Sequence, residues 1–313
     1  MVVLEGAGNI CGWPRVHIPA ACRGVEVVVG IDEAGRGPVL GALVYCAAFW
    51  PLSEHEAICK LGFDDSKQLK EGERDRFFER IKAHGSIGWV IGELSAELIS
   101  QEMLRRSPIS LNALSYDAVV WMLEQIRDGG TGGGGEGSSD APVVGDIYVD
   151  TVGDPETYRA WLVRALGAEF AKFTIEKKAD ATYKVVSAAS IIAKVTRDTH
   201  LKNWTWAESS VRHDLNFGSG YPGDENCSRW LSQVQHPVFG FPNLIRFSWS
   251  TSREALDKGV AVPVSWECED EDTGGSASIT TFFGAAGEKR PARSAFFTTR
   301  KLKHVLPSDD ICR

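Results

Sequence analysis

Four acidic side chains stand at the edges of apolar segments in this chain. Asp32 and Glu33 close the run VVVGI, Asp150 closes DIYV, and Asp180 opens a long stretch of small and β-branched residues. A carboxylate at a buried strand end is costly unless compensated, and hard divalent cations with oxygen ligands are the usual compensation. Two cations held by such carboxylates can activate a water and stabilise the leaving oxygen in phosphodiester hydrolysis. Taken singly, Asp150 also reads as a turn residue and Asp180 as the cap of the helix that follows. The four together, beside one glycine turn, favour the chemical reading.

That turn carries Gly35, Arg36 and Gly37 directly after the first acidic pair. It is not a dinucleotide fingerprint, because the third glycine position falls on Leu40 and Pro38 intervenes. Two carboxylates before the turn would also repel a pyrophosphate. Glycine does allow backbone to come close to a sugar-phosphate chain. A nucleotide-binding module is therefore disfavoured, and a nuclease-like site fits.

The elements that must position these residues follow from periodicity. Residues 25–31 and 39–49 read as two buried strands on either side of the turn. The segment DDSKQLKEGERDRFFERIKAHG predicts an amphipathic helix ending near Gly85, with Asp65 and Gln68 in a capping-box pattern. IGWVIGELS predicts a strand, and SLNALSYDAVVWMLEQIRDGG a helix that stops at glycine. The Gly-rich stretch 129–140 reads as a flexible surface insert within one domain. A strand over 146–150, a helix over PETYRAWLVRAL and a strand in EFAKFTIE come next. ADATYKVVSAASIIAKVTRDTHLKNW predicts one long helix with a deeply buried face. The expected fold class is α/β: a central mixed sheet flanked by helices, with a smaller helical C-terminal region. The expected domains are an N-terminal extension (1–24), a catalytic core (25–204), the helical C-terminal region (205–262) and a mostly disordered tail (263–313).

Composition narrows the partners. With 313 residues, 43% of them hydrophobic and 24% charged, the chain suits a globular protein. No apolar run is long enough to span a bilayer, and no signal-peptide pattern opens the sequence, so no membrane role is expected. Seven scattered cysteines without a CxxC pair read as reduced intracellular thiols, not as a zinc site. The formal net charge of −8 argues against a passive electrostatic nucleic-acid binder. It leaves room for an enzyme that meets phosphate through bound metal.

Five motifs, GIDEAGRGPVLGALVY, DDSKQL, YVDTVGDPETY, KKADATYKVVSAASIIAKVTRD and GSGYPGD, occur in the order and spacing of the type 2 ribonucleases H. PAACRG before the first strand and PVFGFPNLIRFSW after the last motif resemble the eukaryotic branch of that family. The resemblance spans about residues 18–256. It implies a ribonuclease H-like fold in which Asp32, Glu33, Asp150 and Asp180 bind two Mg²⁺ or Mn²⁺ ions. It implies cleavage of the RNA strand of RNA/DNA hybrids, and of ribonucleotide-containing duplex DNA at single embedded ribonucleotides. It implies products that carry a 3′-hydroxyl and a 5′-phosphate.

By the same resemblance Gly35, Arg36 and Gly37 read the ribose 2′-hydroxyl through main-chain groups, the feature that separates RNA from DNA. Tyr221 matches the tyrosine that stacks on the sugar at the ribo-to-deoxyribo junction, though a tyrosine before proline is also a common packing residue. Ser66 and Lys67 resemble a phosphate-gripping loop, compatible with the helix cap beside them. Asn112, Lys184 and Arg197 are further groove candidates, the latter two on a helix where exposed charge often marks a solvated face. In the tail, Ile279, Phe282 and Phe283 have the spacing of a sliding-clamp peptide, but Ser276 stands where glutamine is usual. Eukaryotic relatives work with two accessory subunits, and the expected compartment is the nucleus. A non-catalytic scaffold of the same fold is the alternative, and the intact set of four acids argues against it.

Overall fold

The computed structural model describes residues 9–63, 70–130, 140–167, 170, 172–206 and 214–262. A short antiparallel pair, β1 (Asn9–Ile10) and β2 (Trp13–Pro14), leads into β3 (Val16–His17). β4 (Glu26–Ala34) and β5 (Leu43–Pro51) follow, then the helices α1 (His55–Cys59) and α2 (Glu71–Ala83). Next come β6 (Gly88–Leu94), α3 (Ala96–Leu104), α4 (Leu111–Arg127), β7 (Val143–Asp150), α5 (Pro155–Leu166) and β8 (Phe173–Glu176). The chain continues through α6 (Ala179–Thr182), α7 (Lys184–Lys202), α8 (Glu225–Val234) and α9 (Ser250–Lys258).

Six strands form one mixed sheet in the order β3-β6-β5-β4-β7-β8, with β4 antiparallel to β5 and parallel to β7. Every residue of β5 is buried, because helices cover both faces of the sheet. Alternation along β4 decides what each side chain meets. Val27, Val29 and Ile31 join the core under α4 and α5, whereas Val28 joins the core under α7 with Val44, Cys46 and Ala48 of β5. A third apolar cluster gathers Val39, Leu40, Trp230, Leu231, Phe241 and Ile245 around α8.

Gly30 sets how closely α7 approaches the sheet. A β-carbon there would stand 2.3 Å from the Val185 carbonyl carbon and 2.5 Å from the Val186 nitrogen. The first turn of α7 therefore rests directly on the β4 backbone, and its later turns pass over Asp32.

Several elements differ from the sequence expectation. The single long helix is two, α6 and α7, broken at Tyr183 with φ −107° and ψ 117°. The Tyr183 ring stacks on Tyr148 of β7 at 4.3 Å, and Lys178 is left-handed at φ 63°, so the chain turns twice before α7 begins. β5 starts at Leu43 because Val39 and Leu40 are drawn to the third cluster, where Val39 N–H donates to the Gly220 carbonyl and Leu40 bridges Ile245. α2 begins at Glu71, just after the Lys70 N–H donates to the Glu73 carboxylate at 2.8 Å. The expected cap at Asp65 and Gln68 lies outside the described residues. α3, which periodicity did not disclose, starts where Ser95 accepts the Leu98 N–H.

Candidate active site

The strand read from sequence over residues 25–31 does not stop before Asp32 and Glu33. Both are laddered to β5, opposite Cys46 and Tyr45, and the ladder runs on to Ala34. Pairing stops on the other side, where the last β4–β7 pair is Ile31 with Val149. The physical reason is the asymmetry of the two neighbours: β5 is a continuous buried strand, while β7 ends at Asp150. Strand alternation then sends Asp32 toward α7 and Glu33 toward the α4–α5 face. Asp150 closes the parallel neighbour, so three carboxylates meet at one end of the sheet.

Asp32 is 5% exposed. Its Oδ1 accepts the Glu33 N–H at 2.7 Å. Burial pushes its carboxyl up to about 7 and the Asp150 charge adds to this, against the pull of Ser190, the Glu33 N–H and Lys194. Ser190 and Lys194 lie one turn apart on α7, with the ammonium donating to the hydroxyl at 3.0 Å. Glu33 accepts a hydrogen bond from the Tyr45 hydroxyl and lies 3.6 Å from the Arg36 guanidinium. Burial raises its pKa, opposed by Tyr45 and Arg36. Beside it the buried Tyr158 hydroxyl has no hydrogen-bond partner among the described residues. Asp150 Oδ1 accepts the Ala179 N–H at 2.8 Å, tying the β7 end to α6. Asp180, on α6, is buried, and its carbonyl accepts the Ser187 hydroxyl.

Asp32, Glu33 and Asp150 open into a cleft of about 380 Å³ that they share with Gly35, Arg36, Gly37, Arg197 and Tyr221. Gly35 has φ +86°, and the Arg197 side chain lies 2.7 Å from where a β-carbon would be. Tyr221, half exposed, stands 3.2 Å from the β-carbon position of Gly37. Asn112 joins from the start of α4 by accepting from the Arg36 guanidinium, which also reaches Ser115. Asp180 and Lys184 do not line the cleft, and Lys184 acts electrostatically on Cys59 of α1 instead. Ser66 and Lys67 lie outside the described residues. Arg74, Lys194 and Asp198 also line the cleft and were not picked out from sequence. Lys194 had a signal, a lone cation four residues after Ser190 on an otherwise small and apolar helix face. Arg74, from a distant helix, had none.

Among the described residues no three His, Cys, Asp or Glu side chains are already drawn together as a metal cage. The donors nevertheless suit a hard divalent cation. They are all carboxylate oxygens, and Asp32, Glu33 and Asp150 are each oriented by a protein N–H or O–H. Asp32 is held toward its neutral form by burial and by Asp150, a cost that a cation would remove. The lining also carries four basic side chains, Arg36, Arg74, Lys194 and Arg197, against the acids Asp32, Glu33, Asp150 and Asp198. A polyanion can therefore enter a cleft whose formal charge is balanced.

Residues 29–252 match the family model described as Ribonuclease HII. The chain is 41% identical to a ribonuclease H2 subunit of Homo sapiens, over 91% of its own length and 92% of that protein's. Identity to the corresponding ribonuclease H2 subunit of Arabidopsis thaliana is also 41%, covering 89% and 94%. Among solved structures, the ribonuclease H2 of Pyrococcus horikoshii OT3 is similar at 32% identity and a TM-score of 0.59, covering 74% of this chain and 98% of that one. The ribonuclease HII of Archaeoglobus fulgidus, solved in complex with PCNA, gives 28% and 0.56, covering 73% and 96%. The mixed sheet with its flanking helices is thus the ribonuclease H-like α/β fold, and the chain is a ribonuclease H enzyme that belongs to the ribonuclease HII family.

Proposed function

We propose that this ribonuclease hydrolyses the RNA strand of RNA/DNA hybrids and cuts on the 5′ side of single ribonucleotides embedded in duplex DNA. The observation that carries this reading is the convergence of Asp32, Glu33 and Asp150 with the glycine turn and Tyr221 in one cleft. Asp32, Glu33 and Asp150 would hold two divalent cations, Mg²⁺ or Mn²⁺, with Asp180, buried on the adjoining α6, as the fourth ligand that the family resemblance implies. When bound, these supply the Lewis acid and the activated water for hydrolysis that leaves a 3′-hydroxyl and a 5′-phosphate. The chain's own residues do the rest. The turn brings backbone close to the ribose, Tyr221 offers a half-exposed ring to the sugar, and Arg197 and Lys194 bring positive charge to the backbone phosphates. Lys194 also holds the Ser190 hydroxyl that keeps Asp32 in place.

Residues 25–204 would form the catalytic core and 205–262 a region that backs the turn. The relatives, each named as one subunit of ribonuclease H2, support a further reading. In it this chain acts with two accessory subunits, in the nucleus, in ribonucleotide excision repair and removal of RNA primers. A sliding-clamp contact through Ile279, Phe282 and Phe283, residues outside the described ones, is supported by their spacing and by the PCNA complex of the Archaeoglobus enzyme. The test is a metal-titrated cleavage assay on a duplex with one ribonucleotide beside its all-deoxy counterpart. Cutting of the first alone, dependent on divalent metal, is expected. Metal-independent cutting, or equal cutting of both, would refute the reading.

A further inference from the structure

Arg246 is fully buried, and none of its hydrogen bonds goes to a carboxylate. A guanidinium taken out of water needs compensation. Here it comes from backbone carbonyls and one ring. Nε donates to the Gly41 carbonyl at 2.9 Å, one terminal nitrogen to Arg36 at 3.0 Å, and the other to Gly35 at 2.6 Å. The guanidinium lies 4.8 Å from the centre of the Trp249 ring, whose own N–H donates to the Gly37 carbonyl at 3.2 Å. All three carbonyls of the glycine turn are therefore held by two side chains of a segment more than 200 positions further along the chain. The segment itself is fixed to the turn, with the Arg246 N–H on the Val39 carbonyl and the Gly41 N–H on the Leu244 carbonyl.

In a trans peptide, the carbonyl of one residue and the N–H of the next point in opposite directions. Holding the Gly35 and Arg36 carbonyls inward turns the N–H groups of Arg36 and Gly37 outward, toward the cleft that both residues line. The Gly37 carbonyl is followed by Pro38, which has no N–H, so fixing it orients the turn without adding a donor. An apolar side chain could fill the same space at less desolvation cost, but it could not choose which way these peptides face.

We propose that Arg246 and Trp249 are positioning residues for ribose recognition: they set the direction of the Arg36 and Gly37 N–H groups that discriminate a 2′-hydroxyl. The inference rests on the ribonucleotide-cutting function above, and the experiment separates the two. With the full-length chain in its active assembly, the KM for a duplex carrying one ribonucleotide is compared with the inhibition constant of the all-deoxy duplex of the same sequence. Trp249→Phe keeps an aromatic ring over the guanidinium and removes one N–H. Arg246→Met keeps the volume and removes three donors. Each is expected to raise the KM about tenfold (about 1.4 kcal/mol) while the all-deoxy inhibition constant changes less than twofold.

A merely structural role would lower the thermal midpoint and leave that ratio as it is in the wild type. An unchanged ratio in folded Trp249→Phe overturns the proposal, whether or not Arg246→Met folds. A wild type that binds both duplexes equally would instead overturn the functional reading on which it rests.

Discussion

At the scale of the residue, Asp32 carries the sharpest expectation. Its carboxyl is raised from an ordinary 3.8 to about 7, chiefly by burial. The metal-free folded chain thus keeps a proton up to about pH 7 that the unfolded chain releases near pH 4. Ionising Asp32 costs stability increasingly across that window, fully above pH 7 and not at all below pH 4. Asp32→Asn should abolish cleavage yet stabilise the metal-free chain by about 1–3 kcal/mol at pH 8, with little effect at pH 4. Denaturant midpoints at both pH values check this, and a destabilised variant at pH 8 would contradict it. Because a cation must displace the same proton, Mn²⁺ affinity measured by calorimetry should rise up to tenfold per pH unit below about 7 and then level off. Tyr45 makes the third case. It donates to Glu33, whose burial leaves it dependent on that bond. Tyr45→Phe should cost about 1–3 kcal/mol of stability and roughly 10–100-fold in activity, read from unfolding curves and from kcat at saturating metal.

At the scale of the element, the architecture serves to bring α7 over the sheet end. The pattern of the sequence discloses β4, α4, α5 and β7, because each has an apolar run or a helical apolar stripe. The acids were legible for a related reason: charge at the end of an apolar run is conspicuous. Other features had no such signal. Tyr183 separates α6 from α7 through a ring contact with Tyr148, a residue far away in sequence. Asp32 and Glu33 stay laddered because β5 continues past them, which the β4 sequence does not record. Gly30 reads as an ordinary break in a valine run, yet its missing side chain sets the distance between helix and sheet. Gly30→Ala places a carbon 2.3 Å from backbone that cannot rotate away. It should cost about 3 kcal/mol. It should also reduce activity by shifting Ser190 and Lys194 away from Asp32. Urea midpoints and specific activity measured together test this. A variant as stable and active as the wild type would mean that α7 can lift without consequence.

At the scale of the whole molecule, charge and apolar surface point toward assembly. The cleft is balanced, four basic against four acidic side chains, so the net charge of −8 resides elsewhere and opposes the approach of a polyanionic duplex. The segment PVFGFPNLIRFSW divides its apolar side chains between core and surface. Phe241, Leu244 and Ile245 are buried in the third cluster, while Val238 and Phe239 remain 63% and 79% exposed. Val260 and Val262 are exposed as well, and the Val262 N–H donates to the Pro237 carbonyl, which sets that segment beside the Val238–Phe239 turn. A tight turn fixes the patch: His236 and Gly240 exchange backbone bonds, and the His236 ring stacks on Phe239 at 5.0 Å. An aromatic held rigid and uncovered binds a partner at little entropic cost. The accessory subunits proposed above for this chain are its expected occupant. The isolated chain should then cleave weakly, and adding the accessory subunits at matched salt should raise kcat/KM at least tenfold. Phe239→Ser should leave the isolated chain within about 0.5 kcal/mol of wild-type stability, because an exposed ring contributes little to folding. It should weaken association with the subunits about tenfold or more, as a truncated hot spot does. Size-exclusion chromatography with titrated subunits reads the second effect. Full activity of the chain alone, or undiminished assembly by the Phe239 variant, would remove this patch from any role in assembly.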